Sequence, residues 1–149
     1  QSLPDMADNE RDNAAARFLA NPQHHLTAEE QTDTKQEVLK LLRDPAHAVL
    51  FGSNSRAEVP LAGYVNGQPV TGQVDRLYVT DNEVWILDYK TNRPPPNDPA
   101  DTPMPYLRQL AAYRAVLQAI YPNKTVRCFL LWTYGARLME IPEGLLAGD

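Results

Sequence analysis

The chain has 149 residues, hydrophobic side chains at 43% of positions and a formal net charge of −5. This size and composition fit one domain with a real core, and they argue against a disordered chain or a stand-alone nucleic-acid binder, which would usually be basic. One cysteine excludes a disulfide framework, and no apolar stretch approaches the roughly 18 residues of a membrane span, so we expect a cytoplasmic location and no membrane partner.

The N-terminal part of the chain, residues 1–45, is predicted to be a helical segment. A first helix is expected around Asn9–Leu19, where apolar residues recur on one side. Thr27–Glu30 has the spacing of a capping box and opens a second helix that runs to about Arg43. We expect residues 46–149 to form the core, with one domain overall.

The centre of the chain changes to the alternating pattern of β-strands. Short strands are predicted over Ala57–Leu61, Val70–Val79 and Glu83–Lys90. Asn66-Gly67 is the strongest hairpin signal in the chain, and it separates the first two strands. These segments therefore predict a three-stranded antiparallel meander.

The C-terminal part adds a helix between strands. A proline-rich loop, Asn92–Pro105, precedes a helix over Tyr106–Ile120 that is apolar around much of its girth. The fully apolar strand Thr125–Thr133 follows, with Cys128 as a small buried hydrophobe, and Leu138–Ile141 is a short final strand. The order predicts a mixed α/β fold, in which the chain crosses between strands through the helix.

Charged residues interrupt two of the predicted strands. Alternate strand residues share a face, so Asp88 and Lys90 should project together. The neighbouring strand, about 4.8 Å away, offers Asp75, and Glu58 on the first strand is a third candidate carboxylate. Crowded carboxylates repel each other unless a cation lies between them, and oxygen ligands without His or Cys select Mg²⁺ or Mn²⁺. Such an ion beside a lysine indicates phosphodiester hydrolysis.

Each of these residues also has an ordinary explanation. Asp88 and Lys90 could form a surface ion pair, and Asp75 with Arg76 could be a solvated pair. Glu58 could be a charge that protects an edge strand from aggregation. Taken alone, each item favours the ordinary explanation, whereas their combination in order on adjacent strands favours a site.

Three strings of residues resemble one family. Gly72–Leu77, Ile86–Thr91 and Gln109–Tyr113 read as G-x-[IV]-D-R-[IL], D-Y-K-T and Q-x-x-x-Y. Together they resemble the RecB-type branch of the PD-(D/E)XK nucleases over about residues 58–141. The resemblance implies a restriction-endonuclease-like mixed sheet flanked by helices, and a metal-dependent deoxyribonuclease of exonuclease type.

The resemblance also assigns roles at the centre of the site. It makes Asp75, Asp88 and the backbone carbonyl of Tyr89 the ligands of Mg²⁺ or Mn²⁺. It makes Lys90 the catalytic lysine. Glu58 matches a glutamate of the family's first strand, whose role is less settled.

Further residues would support the site or contact DNA. Gln109 and Tyr113, four residues apart, lie on one helical face and are implied to be site-supporting or DNA-contacting residues, although Tyr113 could equally pack in the core. Arg93, Arg108 and Arg114 are the best local candidates for phosphate contacts, with ordinary surface arginine as the alternative.

Within the branch, the chain looks most like the AddA subunit of double-strand-break-repair helicase-nucleases. The resemblance rests on the run Asp88–Pro95 and on the closing strand pair that includes Leu131–Thr133 and Met139–Glu140. It implies DNA as substrate, an AddB-like partner subunit, and ATP use confined to a helicase part outside this sequence. Motor domains that deliver the strand would explain the acidic charge of the nuclease domain.

One feature departs from the family pattern. The family usually carries a metal-binding histidine on a helix upstream of this sequence, so we expect weak or absent cleavage by these 149 residues alone. His24, His25 and His47 are interpreted as solvated loop histidines. Two alternatives remain: a stand-alone exonuclease, whose Cas4-like iron–sulfur version is excluded by the single cysteine, and a catalytically incompetent DNA-binding or subunit-docking module.

Overall fold

The computed structural model describes residues 8–92 and 94–146. Its helices and strands are α1 (Asp8–Ala20), α2 (Ala28–Arg43), β1 (Arg56–Val65), β2 (Gln68–Val79), β3 (Glu83–Lys90), α3 (Met104–Ile120), β4 (Thr125–Trp132), β5 (Arg137–Ile141) and α4 (Glu143–Leu146). Short 3₁₀ turns lie at Pro22–His24, Ala48–Phe51 and Pro99–Asp101.

The five strands form one mixed sheet in the order β1-β2-β3-β4-β5. The pairs β1–β2, β2–β3 and β4–β5 are antiparallel, whereas β3 and β4 are parallel. Parallel neighbours need a long connection, which α3 provides. The predicted meander and the crossover through the helix are both confirmed.

Helices cover both faces of the sheet. On β3, Val84 and Ile86 belong to the core beneath α3, whereas Trp85 and Leu87 belong to the core beneath α1 and α2. This alternation explains why β3 reads as a nearly continuous apolar run, since both of its faces are buried. The same alternation continues past Leu87, so Asp88 and Lys90 lie on the face of the sheet that α3 covers.

Two local predictions are confirmed. Thr27 and Glu30 form the capping box at the start of α2, each side chain accepting the other's backbone N–H. Cys128 is a buried free thiol, and burial raises its pKa to about 12, so it behaves as a small hydrophobe. Of the helices in the described ranges, none is both long and apolar enough to cross a membrane.

The structure extends β1 well beyond the predicted Ala57–Leu61. The strand has ten residues and runs to Val65. Pro60 and Gly63 obscured its length, because both residues are poor strand formers. Pro60 is tolerated on an edge strand. Gly63 allows close packing of α3, since a Cβ there would lie 3.1 Å from a methyl group of Val116.

Candidate active site

The site lies where β2 and β3 separate. Their backbone pairing ends at Arg76 and Leu87, so the next opposed pair would be Asp75 and Asp88. At Asp75 and Asp88, hydrogen bonds from backbone N–H groups to side-chain carboxylates take the place of backbone–backbone hydrogen bonds between the two strands. The Asp75 N–H donates to Asp88 Oδ1 at 3.4 Å, and the Tyr89 N–H donates to Asp75 Oδ2 at 2.7 Å. Each carboxylate thus accepts a backbone N–H from the opposite strand, and both carboxylates occupy the gap.

Lys90 lies next to this pair on the α3 side of the sheet. Its Nζ is 3.9 Å from Asp88 Oδ2 and donates to Gln109 Oε1 at 3.1 Å. The same ammonium lies 4.3 Å from the ring centroid of Tyr106. A carboxylate, an amide oxygen and an aromatic face therefore hold the lysine in one orientation.

One face of α3 forms the opposite wall of the site. Tyr106, Gln109 and Tyr113 are spaced by three and four residues, which places them on one side of the helix. Burial raises the pKa of the Tyr113 phenol, and the neighbouring Gln73 N–H and Gln109 side chain act in the opposite direction. Tyr113 therefore lies between Gln109, which accepts a hydrogen bond from Lys90, and β2.

Gly72 makes the approach of Tyr113 to β2 possible. A Cβ at Gly72 would lie 2.7 Å from Tyr113 Cζ and 2.8 Å from Cε1, and closer still to the phenol oxygen. These separations are shorter than real carbon contacts, so only glycine fits without displacing the ring. Tyr113 itself is 5% exposed, so it both packs in the core and supports the site.

The site carries negative charge that its own cation does not offset. Asp88 is 4% exposed, and burial raises its pKa to about 6, with a smaller contribution from the charge of Asp75. Lys90 acts in the opposite direction but does not overcome the burial. A cation placed between the two carboxylates would stabilise the charged form of both.

The available donors fit a hard divalent ion that keeps part of its water shell. Asp75 and Asp88 supply carboxylate oxygen only, which suits Mg²⁺ or Mn²⁺. Within residues 8–92 and 94–146, however, no group of three or more His, Cys, Asp or Glu side chains is arranged to hold a metal. Mg²⁺ is commonly bound by one or two carboxylates together with water. The carboxylate pair fits this kind of site and not one in which the protein supplies every ligand.

Glu58 lies beside the site in an unusual conformation. Its φ is 53°, in the left-handed region, and the β1–β2 ladder pairs Ala57 with Arg76 and Val59 with Val74 but omits Glu58. The register thus sets Glu58 opposite Asp75, with its side chain exposed. A non-glycine residue in this region is uncommon, and such strain often occurs at functional sites.

The three candidate arginines are placed differently. Arg114 donates to Glu143 at 2.7 Å. This ion pair engages the guanidinium that was expected to contact phosphate. Arg108 is exposed on α3, about 100° around the helix from Gln109. Arg93 lies outside the described residues.

The interpretation as a solvated loop histidine is wrong for His24. His24 is fully buried, 4.2 Å from the Phe18 ring and 4.7 Å from the Tyr89 ring, and burial lowers its pKa to about 4. In the described part of the chain, neither of its ring nitrogens has a hydrogen-bond partner. His47 is paired with Asp44 at 2.9 Å. The cause of the burial of His24 is tertiary, because the turn after α1 packs against Tyr89 and the end of β4.

Two contacting residues were missed by the sequence reasoning. Gln23 Nε2 donates to Asp75 Oδ1 at 2.7 Å, across a separation of 52 residues. No local sequence pattern predicts that contact. Tyr106 could have been found, because it precedes Gln109 by three residues and shares its helical face.

Comparisons with known proteins agree with this geometry at the level of family and fold. The family model of the PD-(D/E)XK nuclease superfamily matches residues 2–141. A solved structure from Eubacterium rectale, named "Putative exonuclease", has a TM-score of 0.52 at 13% identity, over 95% of this chain. The chain spans 63% of that protein's length. The solved structure of SSO0001 has a TM-score of 0.44 at 15% identity, over 89% of this chain and 70% of its own. No curated protein matches the chain.

Proposed function

Because the chain belongs to the PD-(D/E)XK nuclease superfamily, we propose that it hydrolyses DNA phosphodiester bonds with a bound Mg²⁺ or Mn²⁺. The observation that carries the proposal is the meeting of the Asp75 and Asp88 carboxylates in the gap between β2 and β3, with Lys90 beside them. The match to the family supports nuclease chemistry, and this arrangement supplies the residues for it.

Each residue has a role that follows from its position. Asp75, Asp88 and the carbonyl of Tyr89 would hold the ion, which when bound supplies positive charge and lowers the pKa of coordinated water. Lys90 stabilises the charge that grows on the phosphate oxygens and orients the attacking water. Gln109 fixes the direction of the ammonium through its hydrogen bond of 3.1 Å.

We further propose that the domain belongs to an AddA-like helicase-nuclease of double-strand-break repair and recombination. The strings Gly72–Leu77, Ile86–Thr91 and Gln109–Tyr113 support this branch. The parent protein would be cytoplasmic, would use ATP only in its helicase part and would work with an AddB-like subunit. The net charge of −5 fits a cutting domain to which other domains deliver the strand, with Arg93 and Arg108 as phosphate contacts.

A second candidate is a catalytically incompetent DNA-binding or subunit-docking module. It is favoured by one observation, which is that two carboxylates and not three converge in the described part of the chain. Both candidates share the fold and differ in whether the carboxylate pair binds metal.

A cleavage assay with matched variants tests the proposal. The full chain is incubated with end-labelled single- and double-stranded linear DNA in Mg²⁺, Mn²⁺ or EDTA. We expect weak cleavage that requires metal, and a further loss of at least ~100-fold in Asp88→Asn and in Lys90→Ala. Asp81→Asn and Lys40→Ala change the same residue types at exposed positions and serve as controls.

Calorimetric titration with Mn²⁺ separates the two candidates. Metal binding that disappears in Asp88→Asn supports the nuclease. Identical heats for the unaltered chain and Asp88→Asn, together with no cleavage, would favour the docking module.

A further inference from the structure

We propose that Gln23 is a positioning residue of the metal site, in that its side-chain amide fixes the orientation of the Asp75 carboxylate. This inference rests on the proposed function. Gln23 lies in the Pro22–His24 turn, far from β2 in the sequence, and its Nε2 donates to Asp75 Oδ1 at 2.7 Å. The distance is at the short end for an N–H···O bond, as expected when the acceptor is charged.

The Pro22–His24 turn is anchored, so the position of Gln23 is determined by more than its own side chain. The His24 ring is fully buried against Phe18 and Tyr89. The Thr133 hydroxyl donates to the His24 carbonyl at 3.3 Å, which ties the turn to the end of β4. Asn21 caps the turn by accepting the Gln23 N–H at 3.0 Å. The turn therefore presents Gln23 to the sheet as a fixed element.

The two oxygens of Asp75 are held by different parts of the fold. Oδ2 accepts the Tyr89 N–H from β3, and Oδ1 accepts the Gln23 amide from the turn after α1. The terminal torsion of an aspartate is otherwise soft, so one hydrogen bond leaves the carboxylate free to swing. Two donors on two oxygens define its plane, and each oxygen keeps a lone pair for a cation.

Hydrogen bonds to ligating carboxylates commonly decide how tightly a metal is held. Loss of such a partner typically costs 10–100-fold in affinity, on the order of the effect that we expect here. The N-terminal helical segment thus contributes to the site through a residue that carries no charge. A glutamate at position 23 would instead place a third carboxylate against Asp75.

The experiment compares Gln23→Ala and Gln23→Glu with the unaltered chain, using Mn²⁺ as the probe. Calorimetry measures affinity, and thermal unfolding in EDTA measures the metal-free fold. We expect Gln23→Ala to bind Mn²⁺ about 10–100-fold more weakly. Because the residue is exposed, we expect its midpoint in EDTA to stay within ~2 °C. Gln36→Ala and Gln36→Glu, on the exposed side of α2, are the matched controls.

For Gln23→Glu we expect the EDTA midpoint to change and the Mn²⁺ affinity to be kept, the reverse of Gln23→Ala. Repulsion from Asp75 should lower the unfolding midpoint in EDTA, whereas Mn²⁺ should bind at least as tightly as to the unaltered chain. Mn²⁺ affinity in Gln23→Ala equal to that of the unaltered chain would overturn the proposal. So would a fall in affinity matched by a large fall in the EDTA midpoint, which indicates a structural role only.

Asp88→Asn distinguishes failure of the inference from failure of the proposed function. If the unaltered chain binds Mn²⁺ and Asp88→Asn does not, the metal site stands, and the Gln23 variants decide the inference. If neither binds, the proposed function fails and the role of Gln23 in metal binding fails with it.

Discussion

Gly72 on β2 and Tyr113 on α3 fit against each other with no space for a side chain between them. A Cβ at Gly72 would lie 2.7 Å from Tyr113 Cζ. This contact sets the phenol beside Gln73 and Gln109, and Gln109 accepts a hydrogen bond from Lys90. The glycine of one motif is therefore required by the tyrosine of another.

Gly72→Ala should destabilise the protein by ~1–3 kcal/mol, because the added methyl group displaces the Tyr113 ring from a packed position. DNA cleavage should fall as well, since the displaced ring lies beside Gln109, which holds the Lys90 ammonium. Urea unfolding measures the first effect. Gly144→Ala is the control, because nothing lies within 4 Å of its added Cβ. An unchanged urea midpoint for Gly72→Ala would contradict the packing described.

Asp88→Asn should stabilise the metal-free protein at neutral pH. Burial raises the Asp88 pKa from 3.8 to about 6, so the folded state holds this proton more tightly than the unfolded state. The stabilisation from Asp88 is therefore complete below about pH 3.8 and is lost as the pH rises through about 6. Above pH 6 the neutral variant should gain ~1–3 kcal/mol over the unaltered chain.

Thermal unfolding in EDTA between pH 4 and pH 8 measures this difference. The advantage of Asp88→Asn should shrink towards pH 4, where both chains carry a neutral side chain at this position. Asp81→Asn, in an exposed turn, should show no such trend. Equal midpoints of Asp88→Asn and the unaltered chain at pH 8 would show that Asp88 is not the buried charge described.

Tyr106→Leu should slow DNA cleavage by ~10-fold and leave Mn²⁺ affinity unchanged, because the Tyr106 ring lies against the Lys90 ammonium, which is not a proposed metal ligand. Tyr106→Phe keeps the ring and loses only the hydroxyl bond to Asn92, so it should cleave at close to the unaltered rate. Tyr64→Leu, 76% exposed on β1, is the control. Equal rates for Tyr106→Leu and the unaltered chain would exclude the positioning role.

Arg76 is expected to be structural, although it directly follows Asp75. Its Nε donates to the Leu50 carbonyl at 3.0 Å and to Ser55 Oγ at 2.9 Å. Its Nη2 donates to the carbonyls of Gly52 and Ser55 at 3.2 Å and 3.3 Å. The guanidinium thus ties β2 to the segment before β1.

Arg76→Met should cost ~2–4 kcal/mol, because several carbonyl acceptors lose their donor together. Arg76→Lys should recover little of the loss, since one ammonium cannot reproduce the guanidinium geometry. Denaturant unfolding measures both, with the exposed Arg56→Met as control. A fall in cleavage without a fall in stability would show that Arg76 acts in catalysis instead.

Local pattern was sufficient for several features of the site. Strand alternation placed Asp88 and Lys90 on one face, and the helical period placed Gln109 with Tyr113. The hairpin signal at Asn66-Gly67 made β1 and β2 neighbours, which the register confirms. These features depend on residues close in sequence, so periodicity and turn chemistry are enough to predict them.

The sequence by itself determined the order of the elements, the meander, the crossover through α3 and the residues that carry charge on β2 and β3. Only the tertiary structure decided that β2 and β3 separate at Asp75 and Asp88, and that Gln23 of the Pro22–His24 turn contacts Asp75. Those contacts join residues far apart in the chain: Gln23 and Asp75 are 52 positions apart. Their free energy comes from the packing of α1 and its turn onto the sheet, which no local pattern encodes.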